Sequence, residues 1–365
     1  MDVSKGKKSN SSLTAAVIGC GRIGANTSPD LRNILPKCWL PLNHAESLLS
    51  IDGISVIALC DVSHRAAVNA AKRYGVDKIY TEYTKLIDEC TPDIISVATR
   101  TPGRLEIIEY AANNEVKGIH VEKPLCRNMS EGKAAAKALI SNGVAFSYGA
   151  LRRYMEVYRY AKMIVDSGEL GDLVQIIVNS GQTSLLWNHV HSVDIIMYYA
   201  GDNHVDYVQS ALIIEPGSVS KEQVDDDPVV EHALIKFSNG VSGVISRAGG
   251  YNVILSCAKG EIIIAADGSW LEINKYPINS TGPYFLSNSR LYLESSCSGR
   301  QKAIVELKDA ILDGKETSIN IDEVLITQQI LFALVYSELN GGIKFNINDV
   351  DDRFTVTGRS GNLYA

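Results

Sequence analysis

A glycine-rich turn near the start of the chain constrains its fold more than any other feature. Residues 15–21 have the sequence AAVIGCG, a short apolar run typical of a buried parallel strand. The run passes directly into residues 19–24, GCGRIG, which match the pattern G-x-G-x-x-G. In such a turn the first glycine permits a sharp bend, the second lets a pyrophosphate approach the backbone, and the third allows close packing of helix on strand. We therefore predict a strand, a tight turn and a helix whose free N–H groups face the phosphates of a dinucleotide.

Strand and helix patterns then alternate as far as about residue 149. Residues 55–61 form a second apolar run, and the helix pattern after it stops at Gly75. Two further pairs follow, KIYT with EYTKLIDEC and DIISVATR with a helix from Arg104, before GIHVEKP and a last helix that Ser130 is expected to cap. Because such alternation packs best as a parallel sheet with helices on both faces, we predict an α/β Rossmann domain, a doubly wound parallel sheet, at residues 13–149. Residues 1–12 form a polar leader that we expect to be disordered.

The second predicted strand ends in Asp61, whose carboxylate is placed to accept hydrogen bonds from the hydroxyl groups of an adenosine ribose. The same carboxylate repels a 2′-phosphate, so the sequence favours NAD over NADP as the cofactor. His64 and Arg65 lie close by in sequence and are able to accommodate a phosphate, which keeps NADP as the second choice.

About 40 residues separate the glycine turn from Asp61, where roughly 20 are usual. The excess lies in Asn26–Leu42, a stretch with three prolines and an exposed-looking Trp39. We interpret this stretch as an insertion between the glycine turn and a helix that Asn43 caps. It is either a surface loop or a lid over the cofactor or substrate, because long irregular loops are often functional.

From Gln175 onward the pattern becomes rich in strands without intervening helices, which favours an antiparallel sheet. Asn239-Gly240, between two apolar runs, predicts a hairpin. Helix patterns interrupt the strands at residues 152–167, 185–200 and 322–339. We therefore predict a second, α+β domain over residues 150–365. The acidic stretch 225–227 before Pro228 is more typical of a solvated turn than of a metal site, and no metal is expected.

Composition and charge argue against several functional classes. The formal net charge is −7 and the pI is about 5.6, whereas a nucleic-acid surface needs clustered positive charge. No apolar run approaches the roughly 18 residues of a membrane helix, and the leader has no apolar signal segment. The seven cysteines are scattered without a C-x-x-C pair, as expected for reduced thiols in a cytoplasmic protein. We therefore expect neither a nucleic acid nor a membrane as a partner.

Six segments of the chain together resemble the Gfo/Idh/MocA oxidoreductases, the family of glucose–fructose oxidoreductase and inositol dehydrogenase. The segments are AAVIGCGRIG, VIALCDVSHRAA, VEKPL, LRRYMEVYRYAKMIVDSGELGDL, HSVDIIMYYAGD and VEHALIKFSNGVSGVI, and the resemblance extends from about residue 13 to Gly342. It implies a Rossmann domain and a second domain with an open, mostly antiparallel sheet that binds the substrate. It also implies NAD(P)-dependent oxidation or reduction of a sugar or cyclitol, by a homodimer or homotetramer commonly built through the sheets.

Glu122-Lys123-Pro124, at the end of a predicted parallel strand, is the most specific of these segments. Ligands of open α/β sheets bind at this edge, where the Lys123 ammonium is able to hold a reacting hydroxyl and stabilise charge on its oxygen. The alternative is a surface lysine paired with Glu122. By the resemblance, Glu122 places the nicotinamide end of the cofactor, and Pro124 shapes the turn with a peptide bond that can be cis.

The segment WNHVHSVD at residues 187–194 contains the second candidate catalytic group. His189 and His191 do not share a helical face, so they do not match a helical zinc site, which uses an i, i+4 pair. His191, whose usual pKa lies near neutral pH, is suited to accept the hydroxyl proton while hydride leaves the substrate. The alternative is a histidine buried for structural reasons.

On a continuous α-helix Trp187, His191 and Asp194 lie along one face, and Asn188 is a neighbour of His191. Many family members carry an aspartate four residues before this histidine, where this chain has Trp187. Asn188 is able to supply a hydrogen bond instead, and Trp187 either stacks on a sugar or fills the core. The residues expected at the cofactor are Gly19, Gly21, Arg22, Ile23, Gly24, Asp61, Thr99, Arg100, Pro102, Glu122 and Lys123. Those expected at the substrate are Lys123, Arg152, Tyr154, Trp187, Asn188, His191 and Asp194, with Lys123 and His191 catalytic.

Three functions are compatible with this pattern. The leading hypothesis is a cytoplasmic NAD-dependent oxidoreductase that acts on a secondary alcohol of a sugar, sugar nucleotide or cyclitol. The second is a non-catalytic sensor of the same fold that binds nucleotide and sugar, which Trp187 in place of the acid favours. The third is an enzyme of the same family that uses tightly held NAD for a net non-redox step such as elimination or epimerisation.

Overall fold

The computed structural model describes residues 12–28, 30–201, 204–277, 287–293 and 297–358. Of the leader predicted at residues 1–12, all but Ser12 lies outside the described residues. The strands in the described part are β1 Leu13–Ile18, β2 Ile54–Cys60, β3 Lys78–Tyr80, β4 Ile94–Val97, β5 Gly118–Val121, β6 Ala145–Tyr148, β7 Leu173–Asn179, β8 Val205–Ile213, β9 Gln223–Val224, β10 Val229–Phe237, β11 Ser242–Ser246, β12 Asn252–Cys257, β13 Gly260–Ala265, β14 Trp270–Lys275, β15 Ser287–Leu291 and β16 Thr355–Val356. The α-helices there are α1 Leu31–Ile34, α2 His44–Leu49, α3 His64–Tyr74, α4 Tyr83–Cys90, α5 Arg104–Asn113, α6 Met129–Ser141, α7 Glu156–Asp166, α8 Val190–Ala200, α9 Gly299–Asp313 and α10 Ile321–Leu339.

The first sheet has the strand order β3-β2-β1-β4-β5-β6, and every pairing in it is parallel. Strands β4 and β5 are buried along their whole length, as expected for central strands that helices cover on both faces. The doubly wound fold predicted for this half is confirmed. Because the strands are parallel, Gly19, Asp61, Thr99 and Glu122 all lie at the same edge of the sheet, just beyond the ends of β1, β2, β4 and β5.

Two details of this half differ from prediction. The side chain that caps α6 is that of Asn128, which accepts a hydrogen bond from the Glu131 N–H, so the prediction of Ser130 as the cap is wrong. A sixth strand, β6, follows α6. The first sheet is also covered by α9, which comes from far along the chain. Its Ile304 and Leu307 pack in one buried cluster with residues of β1, and a Cβ on Gly118 would lie only 2.6 Å from Ile311.

The second sheet has the strand order β15-β14-β13-β12-β7-β11-β10-β8. Its pairings are antiparallel except that between β7 and β11. The hairpin predicted at Asn239-Gly240 joins β10 to β11, and Gly240 has the positive φ of +92° that such a turn requires. Helices α7, α8 and α10 cover one face, where Ile176 and Val178 are buried. The opposite face carries the alternate, half-buried side chains, so the predicted open, mostly antiparallel sheet is confirmed.

The insertion interrupts a helix that would otherwise continue from the glycine turn. The His44 N–H donates to the Ile23 carbonyl at 3.0 Å and the Ala45 N–H to the Gly24 carbonyl at 2.9 Å. In an uninterrupted α-helix these bonds would come from residues 27 and 28, so the insertion adds 17 residues (44 − 27). This accounts for the long spacing to Asp61. Asn43 caps α2 as predicted, by accepting from the Glu46 N–H.

Candidate functional site

The geometry of the glycine turn fits a bound pyrophosphate. Gly19 has a φ of +98°, and a Cβ there would lie 2.7 Å from the Ala98 carbonyl carbon. A Cβ on Gly24 would lie only 1.8 Å from the Gly19 carbonyl oxygen. Gly21 is different, because a Cβ there would meet none of the described atoms within 4 Å. The first and third glycines are therefore required by packing, whereas the second leaves open space where a phosphate would approach the backbone.

Asp61 is held against the glycine turn. Its Oδ2 accepts a hydrogen bond from the Cys20 N–H at 2.7 Å, and its Oδ1 accepts one from the Ser63 N–H at 2.8 Å. The two bonds fix the carboxylate at the end of β2 beside the turn. A ribose joined to a pyrophosphate on the turn would meet this carboxylate, which is the arrangement that the sequence predicts.

One cleft of about 680 Å³ brings most of the candidate residues together. The cleft lies between the domain of the first sheet and the domain of the second sheet, and residues of both domains line it. The candidate residues that line it are Gly21, Arg22, Ile23, Thr99, Arg100, Pro102, Glu122, Lys123, Arg152, Trp187, Asn188 and His191. Gly19, Gly24 and Asp61 lie beside the cleft in the glycine turn and at the end of β2, whereas Tyr154 and Asp194 are not among the described residues that line it.

Asp194 has a structural role where substrate binding was expected. It is 1% exposed, and its Oδ1 accepts a hydrogen bond from the Arg153 guanidinium at 2.8 Å. Arg153 also pairs with Glu323 at the start of α10. Tyr154 is buried in the same region, 2% exposed. The expectation that Asp194 and Tyr154 face the substrate is therefore not met by their positions, because both are buried away from the cleft and Asp194 is paired with Arg153.

Lys123 follows β5 and lies half-buried in the cleft. Its ammonium donates to the Trp187 carbonyl and lies 4.3 Å from the centroid of the Trp187 ring. Burial disfavours the charged ammonium and lowers the pKa of Lys123 to about 8, although the nearby charges of Glu122 and Asp227 act in the opposite direction. The lysine is thus held towards the second domain, not paired with Glu122. The Lys123–Pro124 peptide bond is cis.

Glu122 is 5% exposed and belongs to a buried network of charges. Its Oε1 accepts hydrogen bonds from the Arg300 guanidinium and from His44 Nε2, the latter at 3.2 Å. Arg300 also contacts His120 Nε2 at 2.9 Å. Burial alone would raise the pKa of Glu122, but the positive charge of Arg300 and the bond from His44 hold it well below its usual range. Glu122 is therefore ionised and fixed in place at the edge of the cleft.

His191 begins the first turn of α8, and its surroundings favour the neutral imidazole. Burial, and then the positive charges of Arg152 and Lys123, hold the pKa of His191 well below its usual range. Its Nδ1 is buried and has no hydrogen-bond partner among the described residues. The resemblance implies a carboxylate four residues before this ring, where the chain has Trp187, and Asn188 donates to Thr183 Oγ1 at 2.9 Å. Asn188 therefore does not take over the role of that acid.

The sequence argument assumed a continuous α-helix around His191, but the structure shows two different helical segments there. Residues Leu185–His189 form a π-helical turn, and the α-helix begins only at Val190. The wider turn is held by Asp227, whose carboxylate accepts hydrogen bonds from the Leu186 and Trp187 N–H groups at 2.7 and 3.0 Å. Asp227 is 2% exposed, so the prediction of a solvated acidic turn is wrong at this position.

His189 is a histidine buried for structural reasons, which the sequence analysis gave as the alternative for His191. It is fully buried, and its two ring nitrogens contact Thr183 Oγ1 at 3.0 Å and Ser192 Oγ at 3.1 Å. Within the described ranges, no three His, Cys, Asp or Glu side chains lie close enough together to hold a metal ion.

Several cleft residues were not among the site residues that the sequence predicted. Trp39 of the insertion was expected to be exposed, but it is only 9% exposed because it packs between the two domains. Asp267, Arg300 and Asp227 also line the cleft, and none of the three was predicted at the site. The length of the proline-rich insertion that carries Trp39 was the available signal, since long irregular loops are often functional.

The comparison with known families agrees with this geometry. Residues 13–150 match the Gfo/Idh/MocA family, described as an oxidoreductase family with an NAD-binding Rossmann fold. The match covers the first domain, less than half of the chain. The predictions of an oxidoreductase and of NAD as its cofactor class are thereby confirmed.

Related Gfo/Idh/MocA proteins include several inositol dehydrogenases. The chain is 27% identical to scyllo-inositol 2-dehydrogenase (NAD(+)) of Bacillus subtilis over 253 residues, which cover 65% of this chain and 67% of that protein. It is 26% identical to inositol 2-dehydrogenase of Salmonella typhimurium over 166 residues, 45% of this chain and 44% of the relative. The matched region thus spans less than half the length of the Salmonella enzyme.

Solved structures share the fold over nearly the whole chain. Myo-inositol 2-dehydrogenase from Lactobacillus plantarum superposes with a TM-score of 0.67 at 22% identity, covering 92% of this chain and 100% of that one. An oxidoreductase from Agrobacterium radiobacter, solved in complex with NAD+, L-tartaric acid and magnesium, gives a TM-score of 0.70 at 18% identity, covering 92% and 98%. At these identities the likeness establishes the fold alone. Across the described residues, no helix is both long and apolar enough to span a membrane.

Proposed function

We propose that this protein is an NAD-dependent dehydrogenase that acts on a secondary alcohol of a sugar, sugar nucleotide or cyclitol. The observation that carries the proposal is that Lys123 and His191, from different domains, line the same cleft as Gly21 of the glycine turn. A ligand that fills this cleft would meet a phosphate-binding turn at one end and two proton-accepting groups at the other. The relatives named as inositol dehydrogenases support a polyhydroxylated ring as the substrate.

The residues that would hold the cofactor follow from the fit of the turn. The pyrophosphate would lie over Gly21, and the Asp61 carboxylate would accept hydrogen bonds from the adenosine ribose. The cleft between Gly21 and Glu122 is also lined by residues that follow β4, namely Thr99, Arg100 and Pro102. When bound, NAD supplies a nicotinamide ring that accepts a hydride from the carbon that carries the alcohol.

Lys123 is the better of the two candidates for accepting the hydroxyl proton. A pKa near 8 makes its neutral amine available at mildly alkaline pH and still basic enough to take a proton. The imidazole of His191 stays neutral, because burial and two nearby cations hold its pKa well below the usual range, and this makes it a weak base. His191 is better suited to hold the substrate hydroxyl by a hydrogen bond. Arg152, beside His191, would contact other oxygens of the substrate.

A sensor that binds nucleotide and sugar without turnover is the second candidate. The feature that favours it is the unpartnered Nδ1 of His191, because an imidazole without an orienting carboxylate is poorly suited to general-base catalysis. The two functions differ in one readout. A sensor binds NAD and sugar but produces no reduced nicotinamide, whereas a dehydrogenase produces it at a rate proportional to the enzyme concentration. An enzyme with a net non-redox reaction would instead retain its NAD through dialysis.

The open face of the second sheet is the surface that we propose for self-association. Half-buried apolar side chains occupy it, among them Ile177, Val244, Ile254 and Ile263. These side chains lie on neighbouring strands, and a homodimer or homotetramer formed through this face would cover them. Light scattering during gel filtration measures the mass, and a monomer would contradict the proposal.

We also propose a cytoplasmic location, because six of the seven cysteines are buried thiols without a disulfide.

The test of the proposed function uses the purified full chain. Mass spectrometry identifies any nucleotide that co-purifies, and absorbance at the reduced-nicotinamide band follows NAD reduction with cyclitols, sugars and sugar nucleotides. We expect NAD reduction with at least one member of this panel, and weaker reduction of NADP. Binding of NAD without reduction by any panel member would favour the sensor.

A further inference from the structure

The insertion, residues 26–42, extends from the nucleotide-binding domain to the second domain. The Trp39 indole N–H donates to the Asp267 carbonyl at 3.2 Å, and Cys38 Sγ lies 3.9 Å from the Gly268 carbonyl oxygen. Three residues further on, the Arg300 guanidinium donates to the Leu42 carbonyl at 2.9 Å. The last part of the insertion is therefore anchored to Arg300 and to the turn between β13 and β14.

The turn that receives the insertion is shaped for this contact. Ala266, Asp267 and Gly268 have positive φ values of 45°, 54° and 91°, which non-glycine residues seldom adopt. Asp267 Oδ1 accepts a hydrogen bond from Arg152 Nε at 2.8 Å, and this bond holds the strained turn in place. The Arg152 guanidinium also lies 5.1 Å from the centroid of the Trp39 ring. Trp39 is thus fixed by a hydrogen bond and a cation–π contact to two different residues of the second domain.

Trp39 is also part of the cleft wall beside the candidate catalytic groups. Leu35, Trp39 and Leu42 of the insertion line the same cleft as Lys123 and His191. The centroid of the Trp39 ring lies 6.4 Å from that of the His191 ring, and the two planes are inclined at 83°. A substrate whose hydroxyl reaches His191 would therefore lie next to the indole.

We propose that Trp39 is a specificity-determining residue, which contacts the substrate ring beside His191 and limits its size on that side. This inference rests on the proposed function. An indole offers a rigid apolar surface that packs well on the C–H groups of a cyclitol or pyranose ring. Because its two polar contacts fix its position, the wall does not yield to a larger substituent. The insertion then acts as a wall of the substrate site and not as a surface loop.

The test compares three variants with the wild type. Trp39→Ala removes the wall, Trp39→Phe keeps an aromatic wall but loses the bond to Asp267, and Ile34→Ala is the control. Ile34 lies in the same insertion but is 75% exposed and does not line the cleft. For each variant kcat/KM is measured with the best substrate of the panel and with its singly O-methylated derivative, alongside NADH affinity by fluorescence.

We expect Trp39→Ala to shift the ratio of the two kcat/KM values by about tenfold or more in favour of the methylated substrate, the scale on which an apolar pocket discriminates small groups. NADH affinity should stay within about threefold, and Trp39→Phe and Ile34→Ala should leave the ratio nearly unchanged. A role confined to joining the domains predicts a different pattern. In that case Trp39→Phe would impair both substrates equally, and an unchanged ratio in folded Trp39→Ala would overturn the proposal.

A failure of the proposed function is distinguishable from a failure of this inference. If the wild type binds NADH but turns over no panel member, the proposed function fails. Saturation-transfer NMR of myo-inositol and its O-methyl ether on the NADH-loaded protein then decides the inference. A gain in binding of the ether by Trp39→Ala alone would support the wall, and equal or absent binding in all four proteins would overturn it.

Discussion

The Lys123 ammonium lies 4.3 Å from the centroid of the Trp187 ring and donates to the carbonyl of the same residue. The resemblance implies an acid at the position of Trp187, whereas the tryptophan contacts the lysine here. The Arg22 guanidinium of the glycine turn also lies over the Trp187 ring, 5.5 Å from its centroid. The arrangement connects the phosphate-binding turn, the lysine and the helix of His191. It supports our proposal that Lys123, more than His191, accepts the hydroxyl proton.

Loss of either candidate group should impair turnover without preventing cofactor binding. We expect Lys123→Met to lower kcat at least ~100-fold, the usual effect of removing a positioned acid–base group. His191→Ala, which loses a hydrogen bond to the substrate hydroxyl, should lower kcat/KM about tenfold. Lys133→Met is the matched control, because Lys133 is an exposed lysine that pairs with Asp352. NADH fluorescence titration should give wild-type affinity for all three variants. Full activity in both site variants would rule out the mechanism.

The pH dependence of oxidation should report the Lys123 ammonium. Burial lowers the pKa of Lys123 from 10.5 to about 8, so the amine is protonated below that pH and free to accept a proton above it. We therefore expect kcat/KM for alcohol oxidation to rise about tenfold per pH unit below pH 8 and to level off above it. Lys123→Arg, whose guanidinium does not deprotonate in this range, should be nearly inactive and show no such step. A step that persisted in Lys123→Arg would assign the titration to another group.

The choice of NAD over NADP should depend on the charge of Asp61. In Asp61→Asn the amide oxygen still accepts the bond from the Cys20 N–H, but the negative charge that repels a 2′-phosphate is lost. We expect the preference for NAD, measured as the ratio of the two kcat/KM values, to fall by about tenfold, equivalent to ~1.4 kcal/mol. Asp77→Asn, at an exposed position outside the cleft, should leave the ratio unchanged. An unchanged ratio in Asp61→Asn would mean that other groups select the cofactor.

Arg300 should stabilise the fold through Glu122. Arg300→Met leaves a buried carboxylate without its main cation, which typically costs about 3–5 kcal/mol in the free energy of unfolding. Because the folded-state pKa of Glu122 is depressed, the stability contributed by the pair is present at neutral pH and is lost as the pH falls below ~4.3, the usual pKa of a glutamate. Urea unfolding of Arg300→Met and the wild type at pH 7 measures the difference in their free energies of unfolding. Arg247→Met breaks an exposed pair with Glu231 and should cost no more than about 1 kcal/mol, and an equal effect of the two variants would refute the argument.

The first domain was predictable because its signals are local. A run such as AAVIGCG followed by GCGRIG specifies a strand and a turn within ten residues, and periodic helices with caps such as Asn43 follow the same logic. The site was predictable only in part, because several of its contacts join distant parts of the chain. Trp39 reaches a carbonyl 228 residues away, and Arg300 pairs with a carboxylate 178 residues away. No local pattern encodes such pairs.

The π-helical turn before α8 shows the same limit. Periodicity predicts one continuous helix over 185–200, because apolar residues recur at helical spacing through both segments. The wider turn depends on Asp227, which lies 40 residues beyond Trp187 in sequence and binds its N–H group. The placement of Trp187 relative to His191 therefore follows from a tertiary hydrogen bond, which the sequence of the helix does not contain.

Calorimetric titration of NAD into Gly21→Val and the wild type tests the central claim most directly, namely that the glycine turn binds the cofactor that the cleft needs. A valine side chain at this exposed position meets open space in the protein, so it should leave the melting temperature unchanged while filling the region where the pyrophosphate would lie. We predict saturable binding at one site per chain in the wild type and none in the folded variant. Equal binding by both proteins, or no binding by the wild type, would contradict the account.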